Sequence, residues 1–191
     1  MQETIAKAIK ILKDGGVIIF PTDTAFGIGC RIDNESAVKR LFALRRRPED
    51  KATPVLASSL EMLEPFIQPV PQDVIDELIA PHWPGGLTIV LPCNSERIPA
   101  LIRKGDTLGV RVPNLTTLEI INGVGVPIIG SSANFPKEQT PYAFEDLDPE
   151  LVKLVDYVVP GETFTKEAST VISVVDKPWK ILRQGAVRVT V

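Results

Sequence analysis

Three stretches of the chain gather side chains able to hold or polarise a ligand. The first, Phe20-Pro21-Thr22-Asp23-Thr24-Ala25-Phe26-Gly27-Ile28-Gly29-Cys30, follows an apolar run at 17–20. If extended, it sets the Thr22 and Thr24 hydroxyls on one side and the Asp23 carboxylate on the other. Gly27 and Gly29 permit a turn or a close backbone approach to a ligand. A plain ST turn closing a strand explains one hydroxyl and leaves the rest of the run unexplained. The second stretch is Arg45-Arg46-Arg47-Pro48-Glu49-Asp50-Lys51. Three arginines ending a helix could simply complement its dipole. However, Val38, Leu41, Phe42 and Arg45 fall at i, i+3, i+4 and i+7, so Arg45 leans toward the protein body and Arg46 faces water. A charge on the buried side calls for an anionic partner. Arg47 and Lys51 flank the next loop and suit phosphate, Arg as a bidentate fork and Lys as a point charge. The third stretch, Pro127-Ile128-Ile129-Gly130-Ser131-Ser132-Ala133-Asn134, is an apolar strand ending in small polar residues. Strand ends of α/β sheets are favoured ligand sites, and Ser132 and Asn134 share a side. An Asn-based turn is the competing reading.

Composition narrows the chemistry. The 191 residues are 44% hydrophobic and 24% charged, which suits one globular domain over 1–191 and neither a disordered nor a fibrous chain. The net charge of -3 argues against a generally basic nucleic-acid coat. His82 is the single histidine, so multi-His metal sites are excluded and no metal ligand set is expected. Lying between Pro81 and Trp83, it reads as a packed loop side chain rather than a base. Cys30 and Cys93 form no C-x-x-C pair and are expected as buried thiols in a reducing compartment. The N-terminus lacks a signal-peptide core and no apolar run approaches the roughly 18 residues of a membrane helix, so a soluble cytoplasmic protein is expected. No P-loop and no G-x-S-x-G elbow occurs, Gly123-Val124-Gly125 lacks the third glycine of a dinucleotide site, and Ser36-Ala37-Val38-Lys39 opens a helix.

The elements that must position these groups alternate along the chain. Periodicity predicts helices over 3–13, 34–46, from Ser59, from Pro71, and shorter ones at 98–103, 116–122 and 150–155. Extended stretches are expected at 17–20, 54–57, 87–91, 108–112, 127–130, 156–159, 170–175, 180–182 and 186–191. This order predicts an α/β fold, a mixed twisted sheet flanked by helices with some antiparallel pairing near the C-terminus.

Seven ordered motifs then point further: Pro21-Thr22-Asp23-Thr24-Ala25-Phe26-Gly27-Ile28-Gly29, Arg45-x-Arg47-Pro48 with Lys51, Trp83-Pro84-Gly85-Gly86-Leu87-Thr88, Gly109-Val110-Arg111-Val112-Pro113, Ser132-Ala133-Asn134, Ser169-Thr170-Val171 and Leu182-Arg183-Gln184-Gly185. From about Ile5 to about Val187 the chain resembles the YrdC-like threonylcarbamoyl-AMP synthases, of the short, single-domain type. The resemblance implies a deep, positively charged cavity in which L-threonine, bicarbonate and ATP become threonylcarbamoyl-AMP and pyrophosphate, for the threonylcarbamoyladenosine modification of tRNA. It implies Thr24, Arg111, Ser169 and the Gly130 backbone around threonine, and Arg47, Lys51, Thr107, Ser132, Asn134, Thr140 and Arg183 around ATP. It also implies charge neutralisation by Arg45, Arg47 and Lys51, magnesium arriving with ATP, and downstream tRNA-modification transferases as partners. Arg45 stands where the family commonly has Lys, and Phe26 where it usually has Tyr, so no phenolic hydrogen bond carries over.

Two other readings stand beside this one. The arginine run could serve an RNA-binding module, against which the acidic total and few aromatics count. A related carbamoyl-adenylate enzyme with another substrate, like the YrdC-like domains of hydrogenase maturation proteins, would be expected with zinc-finger and acylphosphatase-like parts.

Overall fold

The computed structural model describes residues 2–48, 52–114 and 116–190. Helix α1 (Gln2–Lys13) buries Ile5, Ala8 and Leu12 at helical spacing and carries Lys10 and Lys13 in its last turn, where they complement the dipole. Strand β1 (Ile18–Pro21) is buried throughout and pairs antiparallel with β2 (Phe26–Gly29). A strand holding two glycines in four residues escapes propensity reasoning, and packing explains it. A Cβ on Gly29 would stand 2.0 Å from the Ile129 carbonyl oxygen, and one on Gly27 3.1 Å from the Phe20 ring.

Asn34 caps α2 (Glu35–Leu44) by accepting the Ala37 N–H at 3.0 Å. The helix ends two residues short of the expected 46, because Arg45 is its C-cap and Arg46 turns to φ +50°. Next come β3 (Val55–Leu56), α3 (Leu60–Leu63) capped by Ser59, and α4 (Gln72–Val74), which runs through a π-helical turn (Ile75–Ile79) into α5 (Ala80–His82). Strands β4 (Leu87–Pro92) and β5 (Thr107–Arg111) precede α6 (Thr116–Val124). Then follow β6 (Ile128–Ile129), β7 (Ser131–Ser132), α7 (Pro149–Leu154), β8 (Tyr157–Val158), β9 (Thr170–Ser173) and β10 (Lys180–Arg183).

Two expectations fail locally. The helix over 98–103 shrinks to a 3₁₀ turn at Ala100–Ile102. The described part of 186–191 forms no strand, because its backbone bonds elsewhere: Thr170 Oγ1 accepts the N–H groups of Gly185 and Val187 and donates to the Val187 carbonyl.

The strands make two sheets rather than one, a four-stranded sheet in the order β7-β2-β1-β8 and a six-stranded sheet in the order β10-β9-β4-β5-β3-β6. Gly130 separates β6 from β7, so the chain changes sheets there. A Cβ on Gly130 would stand 2.2 Å from Leu56 Cγ. The six-stranded sheet shows the period of two. Leu87, Ile89 and Leu91 of β4, Leu108 and Val110 of β5 and Ile172 of β9 are buried in the main core, each contributing about 1.5–3 kcal/mol of burial. The alternate residues Thr88, Val90, Gly109, Arg111, Val171 and Ser173 face a cavity.

Candidate active site

That sheet face is the floor of a cavity of about 600 Å³, walled by parts of residues 22–27 and by Gly130, Ser131 and Ser132, with Leu182 and Arg183 of β10 on its lining. Residues 22–25 fold back rather than extend, yet the Thr22 and Thr24 hydroxyls still share a side, 3.0 Å apart and on the lining, from which Asp23 is absent. Thr22 Oγ1 accepts the N–H groups of Thr24 and Ala25, each at 3.2 Å, and donates to the Ala25 carbonyl at 2.7 Å. Thr22 thus spends its hydroxyl on an ST turn, and the turn presents Thr24 to Arg111. Arg111 Nη1 donates to Thr24 Oγ1 at 2.7 Å, Nη2 to Asp23 Oδ1 at 2.5 Å and Nε to the Gly85 carbonyl at 2.8 Å. Burial pushes the Arg111 pKa down, and Asp23 opposes that shift. Both side chains are buried, so this ion pair is fixed by geometry rather than by solvent.

Arg45 leans inward as expected and is 3% exposed, yet its partners are neutral rather than anionic. Nε and Nη2 donate to the Asn134 carbonyl at 3.1 and 2.7 Å, and Nη1 to Ser131 Oγ at 2.5 Å. Burial, then the charge of Arg47, drives its pKa down to about 10. Arg45 lies behind the cavity wall and is absent from the lining, whereas Arg47 is on it. Arg47 donates to the same Ser131 Oγ at 3.3 Å and to the Ala52 carbonyl at 2.5 Å. Arg46 is exposed and stacks over Phe135, 4.7 Å from the ring centroid. Lys51 falls outside the described residues.

Ser132 lines the cavity, but Asn134 does not share that direction. Its Nδ2 donates to the carbonyls of Phe135 and Glu138 at 3.1 and 2.9 Å, the turn-making role that competed with ligand binding. Arg183 is exposed, and its Nε and Nη2 clamp the Ser169 carbonyl at 3.0 and 2.7 Å. Burial lowers the pKa of Arg183 and of Arg47.

The cavity thus brings together Thr24, Arg47, Thr107, Arg111, Gly130, Ser132, Thr140, Ser169 and Arg183 of the expected residues. Sequence reasoning missed Thr88, Lys104, Ser131 and Ser173 on the lining, and Asp23 as the partner of Arg111. A strand alternating apolar with small polar residues, such as Leu87-Thr88-Ile89, was the available signal. Cys30 and Cys93 are buried free thiols, with the Cys30 pKa raised to about 12 by desolvation. They have no part in the site.

Electrostatically, Arg47, Lys104, Arg111 and Arg183 face Asp176 as the carboxylate on the described lining. Arg183 donates to neutral oxygens of Ser169, which leave its charge uncompensated by these hydrogen bonds. Among the described residues no group of three or more His, Cys, Asp or Glu side chains could hold a metal ion. No described helix is long and apolar enough to cross a membrane.

The chain is thus a mixed α/β protein with a cation-bearing chamber on the polar face of its six-stranded sheet. More narrowly, the chain belongs to the Sua5/YciO/YrdC family, whose model, described as telomere recombination, matches residues 10–185. It is 32% identical over 189 residues to the threonylcarbamoyl-AMP synthase of Bacillus subtilis (strain 168), covering 96% of this chain and 54% of that one. It is 39% identical over 134 residues to the threonylcarbamoyl-AMP synthase of Klebsiella pneumoniae, covering 69% and 70%. The crystal structure of P. abyssi Sua5 complexed with L-threonine superposes with a TM-score of 0.88 at 31% identity, covering 97% of this chain and 55% of that one. The chain therefore spans about half the length of the Bacillus and P. abyssi relatives.

Proposed function

We propose that the chain is an L-threonylcarbamoyladenylate synthase, joining L-threonine, bicarbonate or CO₂, and ATP into threonylcarbamoyl-AMP and pyrophosphate. The observation that carries this reading is the pairing in one cavity of a Thr24–Arg111 pole with desolvated arginines, Arg47 and Arg183, suited to phosphate. Thr24, Arg111, Ser169 and the Gly130 backbone hold threonine. Arg47, Lys51, Thr107, Ser132, Thr140 and Arg183 surround ATP. Arg45 and Asn134 support this wall from behind, Arg45 through Ser131 and the Asn134 carbonyl. The amine of threonine adds to CO₂ to give a carbamate. A carbamate oxygen attacks the α-phosphorus of ATP, the bond to the bridging oxygen breaks, and pyrophosphate leaves with that electron pair. No protein nucleophile is required, so the protein's contribution is alignment and charge stabilisation.

Magnesium enters with the triphosphate, as part of the nucleotide substrate. The product is an activated acyl donor for a tRNA-modifying transferase, and the protein acts in the cytoplasm. The names of the Bacillus and Klebsiella relatives and the L-threonine complex of P. abyssi Sua5 support the reading. Pyrophosphate release, measured with threonine, bicarbonate and ATP and with each omitted in turn, tests it. Release is expected only with all three, and release indifferent to threonine would overturn the assignment. In the same assay Arg183→Ala and Ser132→Ala lower activity without unfolding the protein.

A further inference from the structure

The cavity floor carries a pair of hydroxyls in which one partner, Thr88, has no role in the reading above. Thr88 lies on β4 beside β9 in parallel register, and Ser169 immediately precedes β9. Their hydroxyl oxygens are 2.9 Å apart. Both residues are buried, at 3% and 8% exposure, and both line the cavity. Ser169 Oγ also lies 3.1 Å from Arg183 Nη2, which donates to it.

A proton inventory gives this pair a direction. A hydroxyl has one donor and two acceptor sites. Arg183 fills one acceptor site of Ser169. If Thr88 donates, it fills the second, and the Ser169 proton is left to point into the cavity. The opposite direction would leave the free proton on Thr88, the less exposed of the two at 3% against 8% for Ser169, so the proton that must meet a ligand is better placed on Ser169. We propose that Thr88 is a positioning residue: its hydroxyl donates to Ser169 and so makes Ser169 a hydrogen-bond donor to an anionic oxygen of the bound amino acid. The proposal rests on the reading that this cavity takes L-threonine.

The test is steady-state pyrophosphate release against L-threonine concentration, with melting curves for each protein. Thr88→Val keeps the branched shape, with a methyl in place of the hydroxyl, and so removes the donor. It is expected to raise the KM for threonine about tenfold with kcat nearly unchanged, the pattern of a lost ground-state contact. Thr88→Ser keeps the hydroxyl and is expected to restore KM to within about twofold of the wild type. In a Ser169→Ala background, Thr88→Val is expected to add almost nothing. A wild-type KM in Thr88→Val, equal impairment in Thr88→Ser, or multiplying losses in the double variant would each overturn the proposal. Should Thr88→Val fail to fold, Thr88→Ala carries the same comparison. Wild-type protein that ignores threonine refutes the functional reading itself and takes this proposal with it. A responsive wild type with an indifferent Thr88→Val refutes the proposal alone.

Discussion

Arg45 and Arg47 donate to the same hydroxyl, Ser131 Oγ, at 2.5 and 3.3 Å, from opposite sides of the cavity wall. Their neighbouring charges are compatible because they have different tasks. Arg45 is buried against the Asn134 carbonyl, while Arg47 lines the chamber.

This division predicts different failures. Arg45→Ala leaves the Asn134 carbonyl and Ser131 short of donors, and should cost about 2 kcal/mol of stability, within the range for charged hydrogen bonds. Arg47→Ala, which gives up its bonds to Ser131 and Ala52, should cost less stability than Arg45→Ala and raise the KM for ATP by at least about tenfold, the loss of one charge-assisted contact. Thermal melts beside ATP titrations separate the two. An Arg45→Ala protein that melts like the wild type and loses only ATP affinity would place Arg45 in the chamber after all.

Asp23 and Arg111 make a second prediction. The carboxylate accepts both Arg111 Nη2 and the Asn114 N–H, at 2.5 and 3.1 Å, and the side chains of Asp23 and Arg111 are each no more than about a tenth exposed. Removing one charge of a buried pair leaves the other uncompensated, so Asp23→Asn should destabilise the fold by about 3 kcal/mol. Urea denaturation measures this directly, and a midpoint shift worth under about 1 kcal/mol would mean that the pair is solvated.

The sequence made the elements legible wherever burial and periodicity agreed, as in α1, α2, β4 and β5. Of the chamber, residue types and spacing alone pointed to Thr24, Arg47 and Ser132, each with a plainer competing reading, while Thr107, Arg111, Thr140, Ser169 and Arg183 came only from the family resemblance. What it concealed was long-range. Gly27 and Gly29 read as turn residues because propensity cannot see the Phe20 ring and the Ile129 carbonyl that exclude a side chain there. Two sheets read as one because the crossing at Gly130 takes a single residue. The inward turn of Arg45 was visible in helical spacing, but its neutral partners come from residues 131 and 134, more than 80 positions away. Asp23 and Thr88 were hidden for the same reason, since their partners Arg111 and Ser169 meet them only through tertiary packing.

Gly130 gives a packing prediction with its own control. Because a Cβ there would stand 2.2 to 2.8 Å from three Leu56 side-chain atoms, Gly130→Ala should destabilise by about 1–3 kcal/mol through overpacking. Leu56→Ala alone should cost about 2–5 kcal/mol by opening a cavity, as Leu56 is 2% exposed. Together they should cost less than their sum, because the new methyl occupies space that Leu56 vacates. Strict additivity in the denaturation cycle would show that the two positions do not share this space.

Asp156 supplies the pH dependence. Its carboxylate accepts Arg40 Nη1 and Nη2 at 2.5 and 2.9 Å and the Val17 N–H at 2.7 Å, so it ties α2 to the start of β1. The hydrogen bonds from Arg40 lower its pKa below the ordinary carboxylate value, against a smaller opposing effect of burial. A carboxyl group with a lowered folded-state pKa stabilises the fold above its unfolded value of about 3.9, and that stabilisation disappears as pH falls through the folded value. With the side chain about a third exposed, solvent screening limits the contribution to about 1 kcal/mol. Asp156→Asn should therefore be less stable than the wild type by that amount at neutral pH, with the gap closing below about pH 4. Paired urea titrations at pH 7 and at the lowest pH where both proteins stay folded decide the point. A gap that stays constant between the two would assign the loss to the shape of the side chain rather than its charge.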